Sequence, residues 1–188
     1  MQPHDKKRSI RKGIAEHKKL LSEVSALTLS QKICESLAKT DVFQKSSCIA
    51  LYYAMNDEVR TSEFIEEWYK KKTIVLPVIT DENINFHIYK GTDNIIVGMS
   101  GIMEPFCTEQ IPIGKIDLFI VPGVAFDRQY NRMGRGKGYY DRYLSGSDKP
   151  KTGICFDFQL FEQIPTEGHD IKMDMIITEN VILPPHRQ

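Results

Sequence analysis

Three apolar runs of strand length constrain what this chain can become: CIALYY over residues 48–53, TIVLPVI over 73–79, and the centre of KIDLFIVPGVAF over 115–126. A strand with one wet face alternates apolar and polar residues. Unbroken runs of Val, Ile and Leu suit strands buried on both faces, the usual state in a parallel sheet. Between the first two runs lies TSEFIEEWYKKK, 61–72, acidic in its early turns and rich in lysine in its last. The helix dipole favours that order, so the segment reads as a helix and the three pieces as a βαβ unit.

The rest of the chain extends this pattern. Ile10, Ile14, Leu21 and Val24 recur at helical spacing, which predicts one long amphipathic first helix with a weak point at Gly13. A second helix is expected from near Ser30 to Lys39, with Ile33 and Leu37 on one face and Thr28 or Ser30 as its cap. NINFHIYK, 83–90, alternates and reads as a more exposed strand. Residues 91–114 read as irregular, 137–144 as helical, and TGICFDF (152–158) and MDMIIT (173–178) as two final strands. No repeat or low-complexity linker divides the chain. The expectation is a single α/β domain, residues 1–188, around a largely parallel central sheet.

Bulk properties exclude some functions. Lys and Arg number 25 and Asp and Glu 25, a formal net charge of zero, so no general field gathers nucleic acid or acidic membrane. Anion binding has to come from local clusters. Cys34, Cys48, Cys107 and Cys155 are far apart, with no CxxC and no nearby histidine, so zinc is not expected. Widely spaced cysteines and a polar, basic start without an apolar leader run point to reduced thiols and a cytoplasmic location. No window approaches 18 consecutive apolar residues, so no membrane-spanning helix is expected.

One stretch does not read as core. NRMGRGKGYYDRY, 131–143, sets Gly134, Gly136 and Gly138 alternately with Arg135 and Lys137, then adds Tyr139, Tyr140 and Asp141. It follows the strongest strand and precedes a helix, on the side of an open α/β sheet where ligands bind. Glycines let backbone N–H groups approach a ligand, a helix start aims more of them, and the two cations add charge. A polyphosphate matches that arrangement, and Asp141 then suits Mg²⁺, which takes one or two carboxylates beside phosphate oxygens. The spacing is neither a Walker A loop nor the dinucleotide fingerprint. A solvated turn, with its charges facing water, is the plain alternative.

Smaller features surround it. Lys7 and Arg11, four apart in KKRSIRK, share a helical face. Glu58 lies in the strand-to-helix loop of NDEVRTSEF, and Asp170 and Asp174 in EGHDIKMD. Either aspartate could complete a metal site, and each of these residues is equally at home as a solvated charge. His169 alone supports no catalytic role, and Trp68 reads as core or partial surface.

Together these segments resemble a known family. VPGVAFDRQYNRMGRGKGYYDRYL is similar to the signature segment of 5-formyltetrahydrofolate cyclo-ligases, also called 5,10-methenyltetrahydrofolate synthetases. KKRSIRK, LYYAMNDEVRT, GIMEP and HDIKMD also resemble that family, so the likeness runs from residue 7 to about 178. It implies a three-layer α/β/α sandwich and an ATP- and Mg²⁺-dependent closure of 5-formyltetrahydrofolate to 5,10-methenyltetrahydrofolate, with release of ADP and phosphate. By the same resemblance, Lys7 and Arg11 would contact ATP phosphates. Arg132, Gly134, Arg135, Gly136, Lys137 and Gly138 would form the nucleotide loop, with Tyr140 beside it. Arg135 and Lys137 would neutralise the transferring phosphoryl group, and Tyr139 would lie where folate and ATP meet. Asp141 and Asp170 would bind the metal. Tyr53 and Glu58 would face the folate, together with Arg135. A monomer is expected. The competing reading is a single-strand RNA module, since basic and aromatic residues alternate here. The neutral charge and the lack of an extended basic groove argue against it.

Overall fold

A computed structural model describes residues 3–81, 83–98 and 101–185. The chain opens with helices α1 (Pro3–Leu20), α2 (Glu23–Ala38) and α3 (Asp41–Lys45). Strand β1 (Cys48–Ala50), helix α4 (Ser62–Trp68) and strands β2 (Thr73–Thr80) and β3 (Asn83–Ile88) follow. A hairpin of β4 (Ile95–Val97) and β5 (Met103–Pro105) precedes β6 (Leu118–Val121), β7 (Ala125–Asp127) and β8 (Arg132–Met133). The chain continues through α5 (Tyr139–Leu144), β9 (Lys151–Ile154), β10 (Leu160–Phe161), β11 (Met175–Ile177) and β12 (Ile182–Leu183).

Seven strands form the main sheet in the order β12-β11-β9-β6-β1-β2-β3. Neighbours among β11, β9, β6, β1 and β2 pair parallel, and only the edge strands β3 and β12 run antiparallel to theirs. Alternate residues divide between two cores. Ile49, Ile74, Leu118, Ile120 and Ile177 face α2, α3 and α4, where Ile33, Leu37, Phe43, Phe64 and Ile65 meet them. Ala50, Val75, Phe119, Val121 and Ile176 face the other way, toward Leu144 of α5 and Phe126 of β7. This is the expected α/β/α sandwich, and its two-faced burial is why the strand runs lack polar positions. Ile33 and Leu37 are fully buried, so truncating either to Ala carries the usual core cost of about 2–5 kcal/mol.

The helical start differs from the expected single helix. The chain breaks at Leu21, and Ser22 caps α2 by accepting the Ser25 N–H at 3.1 Å. Leu20 and Val24 therefore stand exposed. Neither expected cap acts as one: Thr28 donates to the Val24 carbonyl, and buried Ser30 accepts the Arg60 N–H. A local hydroxyl that reaches the free N–H groups outcompetes a later one already inside the helix. Residues 91–114 are also more ordered than expected, since they contain the β4–β5 hairpin; 99 and 100 lie outside the described residues. Trp68 is partly buried and packs edge-on against Phe43 of the core at 4.8 Å.

That hairpin is fastened by an acid. Buried Glu104 of β5 accepts the Ile79 N–H at 3.2 Å, and a Cβ on Gly98 would stand 2.2 Å from its carboxyl carbon. Burial lifts the Glu104 carboxyl above its ordinary value, against the Ile79 N–H and His87, which lower it. The fold thus favours the protonated form. Its contribution is whole below the unfolded-state pKa and fades as pH rises through the raised one. Glu104→Gln, neutral at every pH, is expected to gain stability over the parent as pH rises above about 4 in urea unfolding. A gap that stays constant across that rise contradicts the assignment.

Candidate active site

The sheet reverses its winding between β1 and β6. From β1 the chain moves outward to β2 and β3, then returns to lay β6 on the other side and continues to β9 and β11. Ligands in open α/β sheets bind beyond the strand ends at such a crossover. A cavity of about 480 Å³ opens there, lined by Tyr52 and Tyr53 after β1 and by Pro122 and Gly123 after β6. Strand β2 outruns β1, pairing with it only through Val75, and its far half builds an apolar wall from Pro77 and Ile79. Ile84 of β3 and Ile102 of the β4–β5 hairpin complete that wall.

Opposite stands the glycine loop. Arg132, Gly134, Arg135, Gly136, Lys137 and Gly138 all line the cavity, as do Tyr139, Tyr140 and Asp141. Gly136 and Gly138 have φ of 98° and 68°, left-handed values that other residues adopt only with strain. Helix α1 crosses the opening and brings Lys7 and Arg11 into the same lining. Lys7, Arg11, Ile14 and Lys18 share one helical face, at spacings of four and three. Of these, Ile14 is the buried apolar residue, and Ile10 beside it packs against Ala125, Met133 and Ile164. Lys7 Nζ meets Asp170 at 2.8 Å and Glu167 at 3.2 Å, Arg11 Nε donates to the Gly134 carbonyl at 3.1 Å, and Lys18 pairs with Asp57 at 3.2 Å. Burial works to raise Asp170, but Lys7 and the Glu167 N–H outweigh it and hold the carboxyl below its ordinary value.

The post-β1 loop is fixed by Thr61, which is fully buried. Its hydroxyl donates to the Tyr52 carbonyl at 2.5 Å and accepts the Ala54 N–H at 3.2 Å. Glu58 then turns back to accept its own loop's Met55 N–H at 3.1 Å and the Arg135 guanidinium at 3.2 Å. Tyr139 donates to the Asp81 carbonyl at 3.1 Å, so its ring spans from the loop to the β2–β3 turn. Arg132 lies 5.6 Å over the Tyr140 ring, and burial first, then Glu58, pushes the Tyr140 hydroxyl well above its ordinary range.

Kinship fits this geometry. The sequence profile of the 5-formyltetrahydrofolate cyclo-ligase family matches residues 3–179. The chain belongs to the 5-formyltetrahydrofolate cyclo-ligase family. A mouse protein of that name is 29% identical over 190 residues, covering 93% of this chain and 94% of the mouse one. One from Mycoplasma pneumoniae is 33% identical over 181 residues, with 92% and 98% covered. The NMR structure of Aquifex aeolicus 5,10-methenyltetrahydrofolate synthetase superposes with a TM-score of 0.88 at 35% identity, covering 97% of this chain and 93% of that one. These matches bear out the expected family, fold and enzyme class. Among the described residues no helix is long and apolar enough to cross a membrane.

In this member of the cyclo-ligase family, the metal expectation divides. Asp174 is not in the cavity lining; its carboxylate accepts the Lys151 N–H at 2.7 Å and secures the start of β9. Asp170 lines the cavity and forms a group with Glu167 and His169 whose ligand atoms lie within 4.8 Å of one another. Asp141 also lines the cavity but lies outside that group. Both its oxygens accept from buried Arg132, at 2.9 and 2.8 Å, and one also takes the Ile171 N–H. Each carboxylate oxygen has two lone pairs, so Asp141 and Asp170 keep acceptor capacity. Hard oxygen donors facing a cationic loop fit the preferences of Mg²⁺.

Some partners carry no local mark in the sequence. Asp57 holds both Lys18 and Arg135, and Glu167 shares Lys7 with Asp170. Fully buried Asp127, at the end of β7, organises the turn that feeds the loop. It accepts the N–H groups of Gln129 and Asn131 at 2.9 Å, the Asn131 amide at 2.9 Å and the Ile164 N–H at 3.0 Å. Tyr130 inside that turn has φ of 66°, a strained value that the Asp127 bonds enclose.

Proposed function

We propose that this chain catalyses the ATP- and Mg²⁺-dependent cyclisation of 5-formyltetrahydrofolate to 5,10-methenyltetrahydrofolate, releasing ADP and phosphate. One observation carries the reading. Residues scattered from Lys7 to Asp170, chosen for this chemistry, line one cavity with an apolar wall on one side and a cationic loop on the other. A flat pterin suits the wall of Pro77, Ile79 and Ile84, and a polyphosphate suits the loop. Glu58 supplies a carboxylate for pterin N–H groups, with Tyr53 beside it.

The formyl oxygen is a poor leaving group. Transfer of the γ-phosphoryl group to it breaks the bond to ADP and makes the formyl carbon electrophilic. N10 of the same folate then attacks that carbon, loses its proton, and phosphate departs with the former formyl oxygen. Phosphoryl transfer is mainly positioning and charge stabilisation, and attack within one molecule gains a large effective molarity. Lys7, Arg11 and Arg132 would bind phosphates, with the backbone of Gly134, Gly136 and Gly138 open to close approach. Arg132 Nε, buried with no acceptor among the described residues, has a donor to give. Arg135 and Lys137 would balance the transferring charge, and Tyr139 would stand between the two substrates with Tyr140 at its side. Asp141 and Asp170, with Glu167 as a further carboxylate, would hold Mg²⁺, which when bound neutralises phosphate charge.

The purified protein with ATP, Mg²⁺ and 5-formyltetrahydrofolate is expected to form the methenyl product, followed by its absorbance. A folded protein that forms none under those conditions overturns the reading.

A further inference from the structure

Arg135 is shared between two carboxylates. Its Nη2 reaches Asp57 Oδ1 and, at 3.2 Å, Glu58 Oε1. The other Glu58 oxygen, Oε2, is taken by the Met55 N–H at 3.1 Å. A ligand N–H approaching Glu58 Oε1 must therefore crowd in beside the guanidinium already on it, using that oxygen's second lone pair. The Glu58 side chain is only 12% exposed, against 45% for Arg135 and 40% for Asp57, so Arg135 is the partner with room to move.

Asp57 is placed to govern that movement. One of its oxygens holds Arg135, and the other holds Lys18, whose side chain is 8% exposed and comes from α1. Lys18, Asp57, Arg135 and Glu58 form a chain of alternating charge, two positive and two negative, running from α1 to the cavity mouth. Burial works to raise the Asp57 carboxyl, but Lys18 and Arg135 outweigh it, so the anion persists.

We propose that Asp57 is a positioning residue for Arg135. It tethers the guanidinium while Glu58 exchanges it for the folate, so that arrival of the folate frees Arg135 for the phosphoryl group. This rests on the proposed role of Glu58 in folate binding. Without Asp57, Arg135 has Glu58 as its remaining carboxylate and competes with the substrate for it. Lys18 at the same time loses its counterion.

A double-mutant cycle tests the tether. D57N is expected to raise the KM for 5-formyltetrahydrofolate and lower kcat, each by about tenfold, while the KM for ATP stays within about twofold. In an R135M background, D57N should add less than about a twofold further change, because the side chain it positions is gone. A full D57N defect that persists in R135M, with a matching fall in melting temperature, overturns the proposal, because Asp57 then acts through the fold alone. D57N with parental kinetics overturns it as well. Should D57N not fold, D57E carries the test: its retained carboxylate is expected to hold the folate KM within about twofold, and a rise of about tenfold with a native melt counts against the tether. E58Q separates this inference from the reading beneath it. An unchanged folate KM in E58Q removes the folate role of Glu58. A raised KM in E58Q without coupling between Asp57 and Arg135 removes only the tether.

Discussion

Replacing Lys137 or Arg135 with methionine is expected to lower kcat by about 10²–10³-fold, the scale seen when one preorganised donor to transition-state charge is removed. The physical case is strongest for Lys137. It is exposed, lines the cavity and makes no ion pair among the described residues, so the fold has no evident use for its charge. Its loss should leave thermal stability within about 0.5 kcal/mol of the parent, as for other surface positions. Arg135 is half exposed and paired with Asp57 and Glu58, and a solvent-screened pair of that kind contributes at most about 1 kcal/mol. Turnover and melting measured on the same preparations separate the two effects. If both variants turn over at the parental rate, the charge assignment is wrong. If kcat falls only as far as the folded fraction does, these side chains are structural.

Asp127→Ala should show the reverse pattern, with stability lost first and activity lost through it. Four donors converge on that carboxylate in a fully buried position. A buried donor left without an acceptor costs about 1–3 kcal/mol, and relaxation of the turn will recover part of the sum. A net loss of about 4 kcal/mol is expected, or roughly 8–16 °C in melting temperature for a chain of this size. That is a large share of the roughly 5–15 kcal/mol available to a domain. Urea unfolding of the variant measures it directly. A loss below about 1 kcal/mol would mean that water replaces the carboxylate and that the turn is less closed than its hydrogen bonds imply.

What the sequence made legible follows from the range of each interaction. The buried strands β1, β2 and β6 announce themselves, because both faces need apolar residues over a contiguous run. The glycine loop does so too, since most of its functional atoms lie within 132–141. Strands β7, β8, β10 and β12 are two or three residues long, below the length at which periodicity carries a signal. The α1–α2 break was hidden because Leu21 and Val24 keep helical spacing across it, and only the Ser22 side chain marks the stop. The roles of Asp57 and Glu167 were illegible for a different reason. Their partners are Lys18, Arg135 and Lys7, remote in the chain, and an isolated acid in a loop looks the same whether it is solvated or clasped. Asp174 and Asp170 show the converse. They are four residues apart with the same chemistry, yet one faces the cavity and the other ties down a strand.

The seam between β1 and β6 also governs when the site comes into being. Ile49 pairs with Leu118, so the β1–β6 seam joins parts of the chain separated by the whole β2–β5 excursion. Closing so long a loop costs entropy that only the finished seam repays. Lys7 and Arg11 emerge first during synthesis, yet they face nothing until the glycine loop and then Asp170 have been made. Activity recovered in a refolding experiment would therefore report on the complete sheet, and a chain released before residue 170 would leave Lys7 without its Asp170 partner.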